Sequence, residues 1–280
     1  RKGKIQGRPQ NRGIIMLFCR RLYCCRLKLL NQGEINMKKI LFAASECVPF
    51  IKTGGLADVV GSLPKCIDKE YFDVRVILPK YTCMKQEMKD KMEYITHFYM
   101  DYNWQDVYVG ILGAKVDGIQ YYFIDNEKYF KRESGIYGYI DDCERFAFFS
   151  SAVLEILPYI DYYPDIIHCH DWQAGMIPVL LNAYYVNDEF YRGIKTMFTI
   201  HNLRYQGIYS ADIVSDFFSL DKDFFTNDKL EFHGCANLLK GGIVYSDYVT
   251  TVSPTYAEEI KTPLGGEKLD GLLSARSNSL

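Results

Sequence analysis

The stretch MKKILFAASECVPFIKTGGLADVVGSLPK, residues 37–65, decides the fold of this chain. Its apolar run from Ile40 to Ala44 is typical of a buried strand, and the loop that follows ends in Lys52-Thr53-Gly54-Gly55. A helix with apolar residues at helical spacing begins near Leu56. A strand, a glycine-rich loop and a helix in this order predict the first unit of an α/β sheet.

The loop at residues 52–55 has the chemistry of an anion site. Backbone N–H groups at a helix start attract negative charge, glycine lets a ligand approach the backbone, and Lys52 adds a cation. The loop is neither a Walker A sequence nor a G-x-G-x-x-G loop, which argues against a dinucleotide oxidoreductase. An ordinary strand-to-helix turn that binds nothing has the same local pattern, so this stretch alone leaves both interpretations open.

The composition is that of an ordinary globular protein. A chain of 280 residues, 48% hydrophobic and 24% charged, can bury a full core as one large or two small domains. The net charge of −2 gives no indication of a nucleic acid or of an acidic membrane surface. No apolar run is as long as the roughly 18 residues that a membrane-spanning helix needs. Nine cysteines without a C-x-x-C pair predict reduced thiols and a cytoplasmic location.

Residues 1–36 differ from the rest of the chain because they are strongly basic and contain a single acid, Glu34. A targeting peptide is also basic and poor in acids, but no small-residue cleavage site follows, and Met37 opens the first strand. We therefore interpret residues 1–36 as translated upstream sequence outside the fold, with a transit peptide as the alternative.

From Met37 onward, strand-like and helix-like runs alternate, which predicts a doubly wound, mainly parallel, Rossmann-like sheet. Ser253 is the predicted N-cap of the last helix, with Pro254 at its first position. The predicted strands are 40–44, 73–78, 106–112, 119–124, 165–168, 195–200 and 248–252, and the predicted helices are 57–67, 141–156, 172–184, 237–245 and 254–260.

Ligands of such sheets bind outside the carboxyl ends of the strands, so the residues that follow each predicted strand are the candidates for a site. His168-Cys169-His170-Asp171-Trp172 follows one strand, and His201-Asn202 with Tyr205-Gln206-Gly207 follows another. Three of the five histidines of the chain thus lie at two strand ends. The clustering indicates a site, although each histidine taken singly is equally consistent with a buried, hydrogen-bonded residue.

Other chemistries have weaker support. We expect His168 and His170 to point in alternate directions, so that both could hold one metal ion only if the strand breaks, and no third ligand stands at a recognisable spacing. A serine hydrolase would need a G-x-S-x-G motif, which is absent. Trp172 suits either a sugar platform or the core. The pair Asp141-Asp142 suits either a catalytic acid pair or a complement to the helix dipole.

Five motifs occur in order along residues 37–280. They are residues 37–46 with 52–59, residues 168–172, residues 199–202 with 205–207, Asn237 with residues 239–242, and residues 251–257. Together they resemble the corresponding motifs of bacterial glycogen synthases and plant starch synthases.

This resemblance implies a retaining GT-B glycosyltransferase in which two Rossmann-like domains face a cleft. Such an enzyme transfers glucose from ADP-glucose to the non-reducing end of an α-1,4-glucan in glycogen biosynthesis. The implied partners are ADP-glucose and the glucan acceptor, and neither a nucleic acid nor a membrane is among them. No cofactor and no metal ion are implied.

The resemblance also implies roles for residues of the donor loop. Lys52 is expected to meet the phosphates of the sugar nucleotide. The backbone of Gly54 and Gly55 is expected to lie beside the pyrophosphate and the glucose, and Asp58 is expected to form a hydrogen bond in the same pocket.

Further roles fall on residues beyond the loop. Asp141 matches the acidic active-site position of the family, and His170 is expected to contact the transferred glucose. Asn237 is expected to help to hold the donor or the glucose, and His201 lies in a motif of the donor side.

The resemblance covers the first domain of the family only. In the family, a second domain supplies a basic pair near the phosphates and an acidic motif near the glucose and the nucleotide. Residues 37–262 are expected to form the amino-terminal catalytic domain, and residues 263–280 are expected to approach the linker to a second domain that this chain lacks. We therefore expect the 280-residue chain alone to be inactive or nearly so.

Two alternatives stay open at this point. The first is a transferase that uses a UDP-sugar, because the choice of base depends largely on the second domain. The second is a non-catalytic glucan-binding module. The set of Lys52, Asp141 and His170 argues against that module, since a pure glucan binder has no use for a phosphate loop.

Overall fold

The computed structural model of the protein describes residues 37–133 and 135–280, so the interpretation of residues 1–36 lies outside the described residues. The strands are β1 (Lys38–Ala43), β2 (Phe72–Pro79), β3 (Glu93–Tyr102), β4 (Gln105–Val116), β5 (Ile119–Asp125), β6 (Ile166–His170), β7 (Lys195–Ile200), β8 (Ile208–Tyr209), β9 (Glu231–Phe232), β10 (Cys235–Asn237) and β11 (Tyr248–Thr251). The centre of the described part is an eight-stranded sheet of order β11-β7-β6-β1-β2-β5-β4-β3, beside which lies a small sheet of order β8-β10-β9.

Helices flank the large sheet. In the described ranges, 37–133 and 135–280, none of them has the length and apolar character needed to cross a bilayer. The α-helices are α1 (Gly55–Cys66), α2 (Gln86–Lys89), α3 (Glu127–Phe130), α4 (Asp142–Glu155), α5 (Met176–Tyr184), α6 (Ala211–Phe218), α7 (Leu238–Tyr245), α8 (Pro254–Glu259) and α9 (Asp270–Ala275), and 3₁₀ turns cover Leu157–Ile160, Trp172–Ala174 and Lys222–Phe224.

The large sheet confirms the predicted doubly wound, mainly parallel fold. The six neighbouring strands from β11 to β5 run parallel, whereas β4 and β3 are antiparallel additions at one edge. Residues 40–44 of the first strand region have no exposed surface. Helices cover both faces of a parallel sheet, so its strands consist of continuous apolar runs rather than alternating ones.

The edge strand β3 was not predicted from the sequence. Its Phe98 and Met100 are buried, whereas Tyr94 and Tyr99 are exposed, and the pairing with β4 shifts register between Tyr94 and Thr96. Aromatic residues on the exposed face hide the alternation of apolar and polar residues that normally marks such a strand. The register shift interrupts the period further.

The predicted helix 172–184 is wrong in its first turn, because the chain forms a 3₁₀ turn and then begins α5 at Met176. Gly175 joins the two. A Cβ atom at Gly175 would lie 2.4 Å from the carbonyl oxygen of Leu238, where α7 begins. The break therefore lets two backbones approach each other closely. In contrast, Ser253 is confirmed as the cap of α8, since its Oγ accepts the N–H of Tyr256 at 3.1 Å.

Residues 263–280 pack against the sheet domain and contain α9, which the sequence did not predict. Leu269 and Leu273 are buried, and the carbonyl oxygen of Ser279 accepts the N–H of Val249 in β11 at 2.8 Å. The proposed domain boundary at residue 262 stays a prediction.

Candidate active site

The donor loop, residues 52–55, lies between the carboxyl end of β1 and the start of α1. Gly54 is the N-cap of α1 in extended conformation and provides no side-chain cap. The N–H groups of Thr53 and Gly54 both donate to Oε2 of Glu46, the latter at 3.3 Å, and the Thr53 hydroxyl donates to the same oxygen at 2.9 Å. Glu46 is only 3% exposed. A carboxylate of the chain itself thus occupies the N–H group of Thr53 and that of Gly54, the latter a residue whose backbone was expected to lie beside the pyrophosphate.

Lys52 and Asp58 form an ion pair at the mouth of the loop. The Lys52 Nζ atom lies 2.7 Å from both carboxylate oxygens of Asp58, and the two side chains are 51% and 56% exposed. Asp58 stands in the first turn of α1, where the helix dipole favours a negative charge. Exposed ion pairs contribute little free energy, so Lys52 can exchange this partner for another anion at low cost. The predicted contacts of both residues with the donor stay predictions.

His168 and His170 share one face of β6, and our expectation that they point in alternate directions is wrong. Their rings stack with centroids 4.3 Å apart. Residues i and i+2 of an unbroken strand point to the same side of the sheet, which is the periodicity that the expectation misapplied. Phe42 of the neighbouring strand β1 packs against both rings, at 4.5 Å and 5.3 Å.

His201 completes a cluster of three imidazoles at the carboxyl ends of β6 and β7. His170 Nδ1 lies 3.0 Å from His201 Nε2, and His168 Nε2 lies 2.6 Å from the hydroxyl oxygen of Thr199. A hydrogen bond between two imidazoles requires one protonated and one free nitrogen. His170 has no exposed surface, whereas His201 is partly exposed. The structure therefore brings both predicted histidines together, and the predicted contact of His170 with glucose stays a prediction.

Burial keeps this histidine cluster neutral. Burial, with a smaller contribution from His201, lowers the pKa of His168 to about 3. Burial also lowers the pKa of His201 to about 4. Burial and the two neighbouring histidines hold the pKa of His170 well below its ordinary value. Neutral imidazoles suit hydrogen bonding to sugar hydroxyls better than pairing with a phosphate.

Asp171 ties the end of β6 to the end of β7 through a buried carboxylate. Its Oδ1 accepts the N–H of His201 at 2.8 Å. Burial raises the pKa of Asp171 to about 7, the backbone N–H groups of His201 and Asn202 act in the opposite direction, and Glu46 adds to the increase. The backbone of Asp171 has φ +55° and ψ −177°, a strained conformation of the kind that clusters at functional sites.

Acidification from pH 7 to pH 5 is expected to lower the free energy of unfolding by about 3 kcal/mol. As the pH falls below the ordinary histidine pKa of 6.5, the unfolded chain binds three protons at residues 168, 170 and 201 that the native state does not bind. Asp171 acts oppositely, because only the native carboxylate binds a proton in this range. The net uptake of two protons gives a maximal slope of about 2.7 kcal/mol per pH unit. Urea unfolding at a series of pH values measures this slope.

Two variants separate the opposing contributions. His168→Gln removes one histidine from the balance and is expected to make stability less dependent on pH. Asp171→Asn removes the opposing carboxyl group and is expected to make stability more dependent on pH, and asparagine matches aspartate in size and shape. Equal slopes in both variants and the parent would contradict this account of the cluster.

The two carboxylates of the pair Asp141-Asp142 have different environments, which separates the two roles that the sequence left open. Asp142 is buried, pairs with Arg145 at 2.9 Å and accepts the N–H of Gly138 at 2.8 Å. Asp141 stands at the N-cap position of α4, is partly exposed and pairs with Arg132. Asp142 is therefore a structural residue, and Asp141 is the carboxylate left for chemistry. Sequence reasoning missed Arg132, because no local pattern marks its partner nine residues away.

Asn237 is buried at the start of α7 and uses its amide group within the protein. Its Oδ1 accepts the N–H of Lys240 at 2.9 Å, and its Nδ2 donates to Oε1 of Gln206 at 2.6 Å. The motif of residues 205–207 and the start of α7 are thus joined by this side-chain hydrogen bond and by two backbone ones, in which the N–H groups of Leu238 and Leu239 donate to the carbonyl oxygens of Gly207 and Gln206 at 3.0 Å. The predicted contact of Asn237 with the donor stays a prediction.

Trp172 belongs to the core rather than to an exposed sugar platform. It is buried, and its ring meets that of Phe146 edge-on at 5.2 Å. Gly207, with φ +63°, lies directly against the indole, so that a Cβ atom there would be 2.5 Å from the ring. Glycine is required at this close approach.

Several chain segments thus converge at one edge of the sheet. The hydroxyl oxygens of Ser45 and Tyr137 lie 2.6 Å apart, which links the end of β1 to the segment that carries Asp141. The ends of β1 and β6 are neighbours, as are those of β6 and β7. Within the ranges that the structure describes, no group of three or more His, Cys, Asp and Glu side chains could hold a metal ion.

Comparison with known proteins identifies the family. The family model described as the starch synthase catalytic domain matches residues 39–275. The chain belongs to this family. The match confirms the resemblance inferred from the five ordered motifs.

Relatives of the starch synthase family include bacterial glycogen synthases. That of Lachnoclostridium phytofermentans is 58% identical over 244 residues, which are 87% of this chain and 51% of the relative. That of Lachnospira eligens is 57% identical over 244 residues, with the same coverage. The chain therefore spans about half the length of the curated relatives it matches.

A solved structure supports the GT-B, Rossmann-like fold of this half. The catalytic domain of starch synthase IV from Arabidopsis thaliana, bound to ADP and acarbose, superposes with a TM-score of 0.79 at 34% identity. The alignment covers 87% of this chain and 50% of that chain.

Proposed function

We propose that this domain carries one side of the active site of a glycogen synthase, which transfers glucose from ADP-glucose to the non-reducing end of an α-1,4-glucan with retention. The observation that carries the proposal is the convergence of Lys52, the start of α1 and the neutral histidine cluster at the carboxyl ends of neighbouring strands. The ADP and acarbose bound to the Arabidopsis relative support a nucleotide and a glucan as ligands.

The chemistry of glucose transfer suits these residues. The bond between the anomeric carbon and the diphosphate breaks, and negative charge grows on the departing ADP. The Lys52 ammonium and the N–H groups at the start of α1 stabilise that charge more in the transition state than in the ground state. The partly exposed carboxylate of Asp141 suits an oxocarbenium-like sugar, and the imidazoles suit its hydroxyl groups.

The remaining groups of the donor site are assigned to a second Rossmann-like domain, since the relatives are about twice as long as the matched region. We place there a basic pair that meets the phosphates and the contacts that select the base. The preference for ADP over UDP therefore rests on the relatives rather than on residues 37–280.

The test compares donors in the complete enzyme. Initial rates of glucose transfer into glycogen are measured with labelled ADP-glucose and with labelled UDP-glucose. We expect kcat/KM for ADP-glucose to exceed that for UDP-glucose by at least about tenfold, a difference of about 1.4 kcal/mol in transition-state binding. The anomeric configuration of the product is read by NMR and is expected to be α.

Two outcomes would support the alternatives. A higher kcat/KM for UDP-glucose would identify a UDP-sugar transferase. Binding of glycogen without transfer from either donor would identify a glucan-binding module.

A further inference from the structure

We propose that Glu46 is a positioning residue of the donor site. Its buried carboxylate holds the backbone of Thr53 and Gly54 so that Lys52 and the start of α1 face the donor phosphates. The inference rests on the proposed function for its kinetic consequence, whereas the contact itself can be measured without a donor.

The contact is a convergence of three donors on one oxygen atom. Oε2 of Glu46 accepts the N–H and the hydroxyl of Thr53 and the N–H of Gly54. Hydrogen bonds to an ionised acceptor are about twice as strong as neutral ones. One buried side chain therefore fixes the peptide groups immediately after Lys52, although Glu46 lies seven residues before Thr53 in the chain.

The negative charge of Glu46 is stabilised by this loop rather than by a cation. Among the residues that the structure describes, no lysine or arginine forms an ion pair with it, and it is 3% exposed. A buried carboxylate without compensation is costly, so the N–H groups and the positive end of α1 must provide the stabilisation. The same hydrogen bonds therefore stabilise the buried carboxylate and hold the loop against the segment that follows β1.

The carboxylate also restricts how a donor can bind. The Thr53 and Gly54 N–H groups are already used, so a diphosphate is left with Lys52 and the N–H groups from Gly55 onward. Lys52 rests on the exposed Asp58 and can leave it at low cost. The backbone of the loop stays fixed while its cation changes partner, an arrangement that reduces the ordering cost of binding.

Glu46 further lies among the other parts of the candidate site. Its neighbour Ser45 contacts the hydroxyl of Tyr137, on the segment that leads to Asp141. Its negative charge contributes to the raised pKa of the buried carboxylate of Asp171. A displaced Glu46 would therefore disturb the loop at the junction of three segments.

The contact is tested first in the 280-residue chain without any donor. Glu46→Gln keeps the size of the side chain but removes its charge, and Glu46→Ala removes all three bonds. We expect amide hydrogen exchange at Thr53 and Gly54 to accelerate about tenfold in the glutamine variant and about a hundredfold in the alanine variant. Glu87→Gln, which makes the same change of charge on the exposed face of α2, is expected to leave these amides unchanged.

The second test measures donor kinetics in the complete enzyme. We expect Glu46→Gln to lower kcat/KM for ADP-glucose about tenfold, with a lower kcat as well as a higher KM, and to leave KM for the glucan unchanged, because Lys52 and the start of α1, which Glu46 positions, stabilise the transition state more than the ground state. Faster exchange with an unchanged kcat/KM for the donor, or unchanged exchange, would overturn the inference. A parent enzyme that does not use ADP-glucose would refute the proposed function instead, and the exchange rates alone would then decide whether Glu46 holds the loop.

Discussion

Lys52→Ala is expected to lower kcat/KM for ADP-glucose by about 10²–10³, which corresponds to about 3–4 kcal/mol of transition-state stabilisation. The ammonium group is the exposed cation of the donor loop, and its Asp58 partner is itself exposed and easily left. Alanine removes the charge just where the leaving diphosphate develops it. Initial-rate kinetics with labelled ADP-glucose measure the effect, and binding to immobilised glycogen is expected to be unchanged.

A matched control lies on α1, the helix that follows the loop. Lys65 stands in the last turn of α1 and pairs with Asp117 at 2.7 Å, far from the loop. Lys65→Ala removes an equal charge from another exposed ion pair and is expected to leave donor kinetics as they are. If the Lys52 variant lost glucan binding as strongly as donor use, or lost neither, the assignment of the loop to donor phosphates would be wrong.

Arg145→Ala is expected to lower the free energy of unfolding by about 3–5 kcal/mol. Arg145 has no exposed surface and donates to the carboxylate of Asp142 at 2.9 Å and to the carbonyl oxygens of Tyr129 and Ile136 at 3.1 Å and 2.9 Å. Its removal leaves a buried carboxylate and two buried carbonyl groups without their donor. Urea unfolding followed by circular dichroism measures the loss.

The control for this variant is an exposed ion pair. Lys91→Ala breaks a contact of 3.6 Å with Glu87 on the surface and is expected to change stability by less than about 0.5 kcal/mol. The double variant Arg145→Met with Asp142→Asn removes both buried charges and is expected to recover part of the loss. A loss below about 1 kcal/mol for Arg145→Ala would mean that water or another cation replaces the guanidinium.

Much of the fold follows from local pattern. The parallel strands were predicted because burial on both faces makes each a short apolar run, as in residues 40–44. The edge strand β3 was missed because its exposed face carries Tyr94 and Tyr99, and α9 was missed because Leu269 and Leu273 form too short an apolar pattern. Both elements owe their structure to packing against the sheet rather than to their own periodicity.

The candidate site was predicted less completely than the fold. The positions of Lys52, Asp141, His170 and His201 follow from the rule that ligands bind at the carboxyl ends of parallel strands, together with the family resemblance. The partners of these residues could not be predicted. Glu46 stands at the end of the motif at residues 37–46 and Arg132 lies outside the five motifs, but for neither residue does the sequence indicate a partner, since the role of a buried carboxylate or guanidinium is recognised only from what surrounds it.

The sequence by itself therefore determined the order of the parallel strands, the family and the loop at residues 52–55, because periodicity, glycine and ordered motifs are properties of neighbouring residues. Only the tertiary structure decided the occupant of each hydrogen-bonding group. It placed Glu46 on the amides of the loop, and it placed His201 against His170, 31 residues away. Such pairings depend on directions and distances of a few ångströms between distant residues, which the fold sets and local sequence does not contain.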